Sequence, residues 1–74
     1  MKVILVVTNN FDYSIKLIEC DTYDKAINVM KEAYENLKFG VDYDFYNTYL
    51  DKDSGYAQIV YGLKQTEFRI GELL

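Results

Sequence analysis

Cys20 is the one strongly nucleophilic side chain in a sequence of 74 residues that contains no histidine. The thiolate is the reactive form of cysteine, and without an imidazole or another cation beside it the thiol stays protonated near neutral pH. Cys20 also falls at the end of a predicted strand, where a lone cysteine acts as a small buried hydrophobe. Ser14 and Ser54 lie outside any G-x-S-x-G context, and none of the four glycines builds a phosphate-binding loop. The missing histidine removes the commonest general base and the commonest metal ligand together. The expectation is a chain with no catalytic residue, no cofactor and no metal centre.

Asp51-x-Asp53 followed by Gly55 is the segment whose spacing invites a test for a calcium loop. With Asp51 first in the loop, the place that needs glycine is Tyr56 and the place that needs the bidentate glutamate is Gly62. With Gly55 in the glycine place, the first ligand is Leu50, which has no ligating group. The register fails both ways, and the segment reads as an Asp-rich hairpin turn.

Tyrosine and aspartate are concentrated together just there. Asp42, Tyr43, Asp44, Tyr46, Tyr49, Asp51, Asp53 and Tyr56 form a candidate partner-binding set, because tyrosine supplies contact area at low entropic cost and binding surfaces favour it. On one face of a predicted strand, Asp42 and Asp44 would stand about 6.5 to 7 Å apart, a spacing that lets both carboxylates meet a basic groove. The competing reading has Tyr43, Tyr49 and Tyr61 filling a core with their hydroxyls at its rim.

Charge agrees with a protein partner. Twelve acids against eight bases give a net charge of −4 and a pI near 4.5, which disfavours nucleic acid and anionic lipid and favours a basic protein surface. A single cysteine excludes an internal disulfide, and the cytoplasm is the expected compartment. The apolar run Val3 to Val7 is far short of the roughly 20 residues that cross a bilayer. It predicts a strand.

The elements that must position these residues follow from periodicity. Residues 1–74 make one domain, since a smaller piece could not bury a core. From Asp21 to Phe39 the side chains Tyr23, Ile27, Met30, Tyr34 and Leu37, with Ala26 and Ala33, recur at helical steps and share one face. Asp21 or Thr22 caps that helix, and Phe39-Gly40 stops it with Gly40 in the left-handed conformation. Lys2 to Thr8 predicts a strand buried on both faces and therefore central. Asn9-Asn10 connects it to a strand from Tyr13 to about Cys20. Val41, Tyr43 and Phe45 alternate with Asp42, Asp44 and Tyr46 as a third strand, with a slackening near Tyr46 to Thr48 before Tyr49-Leu50. After the Asp51 to Gly55 turn come a fourth strand from Tyr56 to about Leu63, a turn at Lys64-Gln65, and a last strand from Thr66 to about Glu72 with Phe68 and Ile70 opposite Glu67, Arg69 and Gly71. The fold class is α+β: a small antiparallel sheet of about five strands in ββαβββ order with one helix packed on one face.

One helix covers one face of such a sheet, yet the first strand is apolar on both, with Val3, Leu5 and Val7 opposed by Ile4 and Val6. A homodimer through the uncovered face, or a partner protein, would supply the missing cover, with Ile4 and Ile18 as the positions to test. A monomer screened by Lys16, Arg69 and tyrosines competes with both.

Phe11-Asp12-Tyr13-Ser14, Asp21-Thr22 leading into Lys25-Ala26-Ile27, Tyr56-Ala57 and above all Thr66 to Leu73 resemble segments of short uncharacterised proteins encoded by phages and prophages of Gram-positive bacteria. The likeness spans most of the chain through short structural motifs. It implies a setting in which small acidic proteins without catalytic residues bind and block host proteins, including nucleases of defence systems. The functional expectation is a non-enzymatic acidic protein-binding module, an inhibitor or adaptor. The alternative is a self-associating structural or regulatory homodimer.

Overall fold

The computed structural model describes residues 2–72. Its elements are β1 (Val3–Asn9), β2 (Ile15–Cys20), α1 (Tyr23–Gly40), a 3₁₀ turn (Phe45–Asn47), β3 (Tyr49–Asp51), β4 (Tyr56–Tyr61) and β5 (Lys64–Glu72). The strands form one five-stranded sheet in the order β2-β1-β5-β4-β3, every neighbour antiparallel. This is the α+β arrangement in ββαβββ order that the periodicities predict. Leu73, which closes the segment from Thr66, lies outside the described residues.

Thr22 is the residue that caps α1. Its backbone is extended and its hydroxyl accepts a bond from the Lys25 amide at 3.2 Å, with Asp24 in the first turn and Lys38 in the last to suit the helix dipole. The predicted stripe faces the sheet: Ala26, Met30 and Tyr34 are buried, and Ile27, Ala33 and Leu37 pack beside them. Because α1 leaves β2 at one edge of the sheet and delivers the chain to β3 at the other, it crosses the whole of one face. Leu5 and Ile59 are fully enclosed beneath it together with Met30, and Phe68 and Ala57 complete the cluster. No helix among the described residues is long and apolar enough to cross a membrane.

Several local expectations are corrected. Gly40 does not close the helix in the left-handed region; Val41 extends instead, its amide reaching the Lys38 carbonyl at 3.5 Å. Among the described non-glycine residues the positive φ is at Tyr13 (57°), where the second strand is expected to start. The reason is local: the Asp12 carboxylate accepts the Ser14 amide at 2.9 Å and Asn9 holds the Ser14 hydroxyl at 2.8 Å, so β2 begins only at Ile15. Gly62, with φ of 67°, turns the chain before Lys64, so β4 ends at Tyr61 and β5 starts earlier than predicted. The central strand is β5, flanked by β1 and β4, while β1 is second from one edge. Val3 and Leu5 are buried under the helix, whereas Ile4 and Val6 on the other face are only half-buried.

The predicted third strand over 41–46 does not form. Asp44 caps the 3₁₀ turn, its carboxylate accepting the Tyr46 amide at 3.0 Å and the Asn47 side-chain amide at 2.8 Å. An aspartate that bonds its own chain two residues on gives the backbone an alternative to the ladder. The outer edge of β4 at Val60 is then met by the Asp44 amide at 2.7 Å and the Thr48 hydroxyl at 3.0 Å in place of a strand. The slackening expected at Tyr46 to Thr48 is this turn, and β3 is confined to Tyr49–Asp51.

Gly55 locks the β3–β4 turn to the start of the helix. It is buried with φ of 67°, and a Cβ there would meet the Tyr23 hydroxyl at 2.9 Å and the Ile70 Cβ at 3.2 Å. The Tyr23 hydroxyl donates to the Lys52 carbonyl at 2.8 Å, and the Ile70 amide donates to the Gly55 carbonyl at 2.9 Å.

Candidate functional site

The eight candidate residues divide between two surfaces that meet at β3. Asp42, Asp44 and Tyr46 lie in the α1–β3 connection, Asp53 in the β3–β4 turn, and Asp51 and Tyr49 on β3 itself. Asp42 and Asp44 do not share a strand face, because no strand forms there. Tyr43 is withdrawn from the set: its ring packs on the core cluster with the Lys38 ammonium 5.2 Å from the ring centroid. Tyr49 and Tyr56 lie on the sheet face away from the helix, ring centroids 5.8 Å apart.

What the connection and the turn build is an acidic aromatic rim along the β3 edge. Tyr46 is 91% exposed and Phe45, which sequence reasoning placed in a strand, is 75% exposed, the two rings edge to face at 5.7 Å. Asp44 is anchored near Val60 and Asp51 pairs with Tyr56, which sets them about 13 Å apart along β4. The Asn47 amide, and after it the Tyr46 backbone, hold the Asp44 carboxyl below its ordinary pKa. Asp51 accepts the Asp53 amide at 3.0 Å, the same short Asx arrangement. Among the described residues none of Asp42, Asp44, Asp51 or Asp53 has a cation at ion-pair distance, whereas Glu19, Asp21, Glu35 and Glu67 each lie within 4.0 Å of a lysine or arginine.

The uncovered sheet face has two halves. On β4 and β5 a closed polar circuit runs through five side chains. The Tyr56 hydroxyl donates to Gln58 at 2.8 Å; Gln65 donates to Gln58 at 3.3 Å and to Glu67 at 3.1 Å; Arg69 reaches Glu67 at 3.4 Å and stacks 5.0 Å from the Tyr56 ring centroid. Gln58 also donates to the Asn47 carbonyl at 2.7 Å, tying the circuit to the rim. Partial burial, with Glu67 and Tyr49 adding to it, raises the pKa of the Tyr56 hydroxyl, so it remains a donor. On β1 and β2 the face is mainly apolar, with Ile4 and Val6 beside Ile15 and Leu17, which are 67% and 61% exposed, and Thr8 and Glu19 at its two ends. Ile18 is not part of it; paired with Leu5, it faces the helix.

Cys20 is buried beside Val3 and Ala26. No group of three or more histidine, cysteine, aspartate or glutamate side chains among the described residues is arranged to hold a metal ion. Sequence reasoning named Arg69 only as a screen for the second face and missed Phe45 and Glu67 as surface residues of consequence. The alternation over Thr66 to Glu72 assigns Glu67 and Arg69 to one face, but only the register shows which residues they meet. Comparison with protein-family models, with curated proteins and with solved structures finds no match to this chain.

Proposed function

We propose that this chain is a non-enzymatic binding module of the cytoplasm that docks a basic protein surface on its β3 rim. The observation that carries the reading is the set of four aspartates without a cation partner, Asp42, Asp44, Asp51 and Asp53, interleaved with the exposed rings of Phe45, Tyr46 and Tyr49. Uncompensated carboxylates steer a basic partner at long range, and aromatic rings supply the contact area that holds it. Elsewhere Glu19, Asp21, Glu35 and Glu67 carry counter-ions, and the remaining acids Asp12, Asp24, Glu32 and Glu72 stand singly in the β1–β2 turn, on α1 and at the end of β5.

The resemblance to short phage and prophage proteins supports a narrower form of this proposal, an inhibitor that occupies the groove of a host nucleic-acid-binding protein. Carboxylates spread along one edge of the sheet suit a groove whose lysines and arginines normally meet successive phosphates.

The test compares the protein with a variant carrying Asp→Asn at 42, 44, 51 and 53, each immobilised and exposed to host lysate, with retained proteins released by rising salt. The parent should retain a basic protein that leaves early in the gradient, and the variant should lose it while still folding and melting only slightly below the parent. Retention of the same protein by the variant, with the same salt profile, overturns the proposal.

A further inference from the structure

The register of the sheet places two rows at the middle of the uncovered face, with Gln65 and Val60 beyond one of them and Glu19, Ile4 and Gly71 beyond the other. Ile15, Thr8, Glu67, Gln58 and Tyr49 stand side by side across β2, β1, β5, β4 and β3, and Leu17, Val6, Arg69, Tyr56 and Asp51 form the next row. Between them runs the row Lys16, Val7, Phe68, Ala57 and Leu50, whose side chains point to the helix. A twofold axis lying over that middle row, across the strands, sets each row on the other row of a second copy. Ile15 then meets Leu17, Thr8 meets Val6, Glu67 meets Arg69, Gln58 meets Tyr56, and Tyr49 meets Asp51.

We infer that the uncovered face binds a second copy of this chain about that axis. Every pair it creates between these two rows is compatible: Ile15 on Leu17 and the Thr8 methyl on Val6 at the β2–β1 end, an ion pair at the centre, and two side-chain hydrogen-bond pairs toward β3. The alternative axis, parallel to the strands, lays β5 on β5 with Glu67 over Glu67 and Arg69 over Arg69, and like charges in contact oppose association. The groups needed are available, since a guanidinium has five donors and Arg69 uses one of them in a long bond to its own Glu67.

The area is at the threshold. Strands about 4.8 Å apart and about 20 Å long give a face of about 500 Å² per copy, so the pair buries about 1,000 Å², the size that separates specific interfaces from incidental contacts. Aligned sheets pack about 10 Å apart with their facing side chains interleaved. The surface overlaps the acidic rim at Tyr49 and Asp51 and takes Tyr56 from the candidate set besides, while Asp42, Asp44, Phe45, Tyr46 and Asp53 stay outside it, and the inference does not depend on the rim's function.

Light scattering behind a sizing column, from micromolar to several hundred micromolar chain, should give the parent the mass of a dimer and Leu17→Lys that of a monomer. Glu67→Arg and Arg69→Glu should each raise the dimer dissociation constant by at least about tenfold. An equimolar mixture of these two should recover the dimer, because each chain then offers the charges the other lacks. A parent that stays monomeric, a Leu17→Lys variant that stays dimeric, or a mixture no more associated than its components overturns the inference. Should a charge-reversed chain fail to fold, Ile15→Cys mixed with Leu17→Cys, both in a Cys20→Ser background, must cross-link to each other on oxidation more readily than to themselves. Equal cross-linking in all combinations also overturns it.

Discussion

The two faces of this sheet are written by the same strands and obey different rules. Under the helix, Leu5, Ile59 and Phe68 lock around Met30 and Ala57, and what matters there is volume and shape. On the opposite face, Ile15 and Leu17 stay exposed while Tyr56, Gln58, Gln65, Glu67 and Arg69 bond one another in a circuit. The covered face holds the molecule together. The uncovered one is ordered by polar bonds at its surface and not by enclosed volume.

The sharpest way to break this comparison is to remove the same kind of bulk from each face. Met30→Ala should cost about 2 to 5 kcal/mol, enough to unfold much of a domain this small. Leu17→Ala should cost no more than about 0.5 kcal/mol. Urea melts at sub-micromolar chain, where association does not contribute, would decide it; equal losses would mean that the two faces are not distinct. The join between helix and sheet comes next. Gly55→Ala adds a methyl against Tyr23 and Ile70 at a positive φ and should lower stability by about 1 to 2 kcal/mol. Gly62→Ala has a similar φ and open space around it, so the gap between the two variants in the same melts isolates the steric part.

The smallest effect concerns the rim and depends on pH. Hydrogen bonds from Asn47 and from the Tyr46 backbone favour the ionised Asp44 carboxyl in the folded state and lower its pKa. Its contribution is therefore complete above the ordinary aspartate range and is lost as pH falls through the folded value. Asp44→Asn should melt slightly below the parent at neutral pH and converge with it in acid. A constant offset from pH 7 to pH 2 would show that the carboxylate's charge is not what caps the turn.

The fold was legible where one periodicity ran unbroken. Helix α1 announces itself through Ala26, Met30 and Tyr34, and β5 through the alternation of Phe68 and Ile70 with Glu67 and Arg69. The acidic segment was misread because Val41 to Tyr46 alternates as a strand does, and nothing in its pattern reveals that Asp44 bonds its own chain. Position in the sheet was also hidden. A run of β-branched residues marks β1 as interior, but the middle strand is β5, whose Glu67, Arg69 and Gly71 look like an edge by composition. Candidate residues were identified by type, and the structure places those of the rim at the surface, whereas the facing rows of the uncovered surface could emerge only from the pairing register.

The place of β5 carries a consequence for how the molecule comes into being. The strand that joins the β1–β2 half to the β3–β4 half is the last of the five in chain order. As the chain emerges from a ribosome, two separate hairpins and a helix with nothing to lie on must wait until residues 64–72 arrive. Contacts between residues so far apart close slowly, and apolar surface stays open while they do. A chain cut before β5 therefore has no sheet to fall back on, and a protease or chaperone meets this protein either whole or not folded at all.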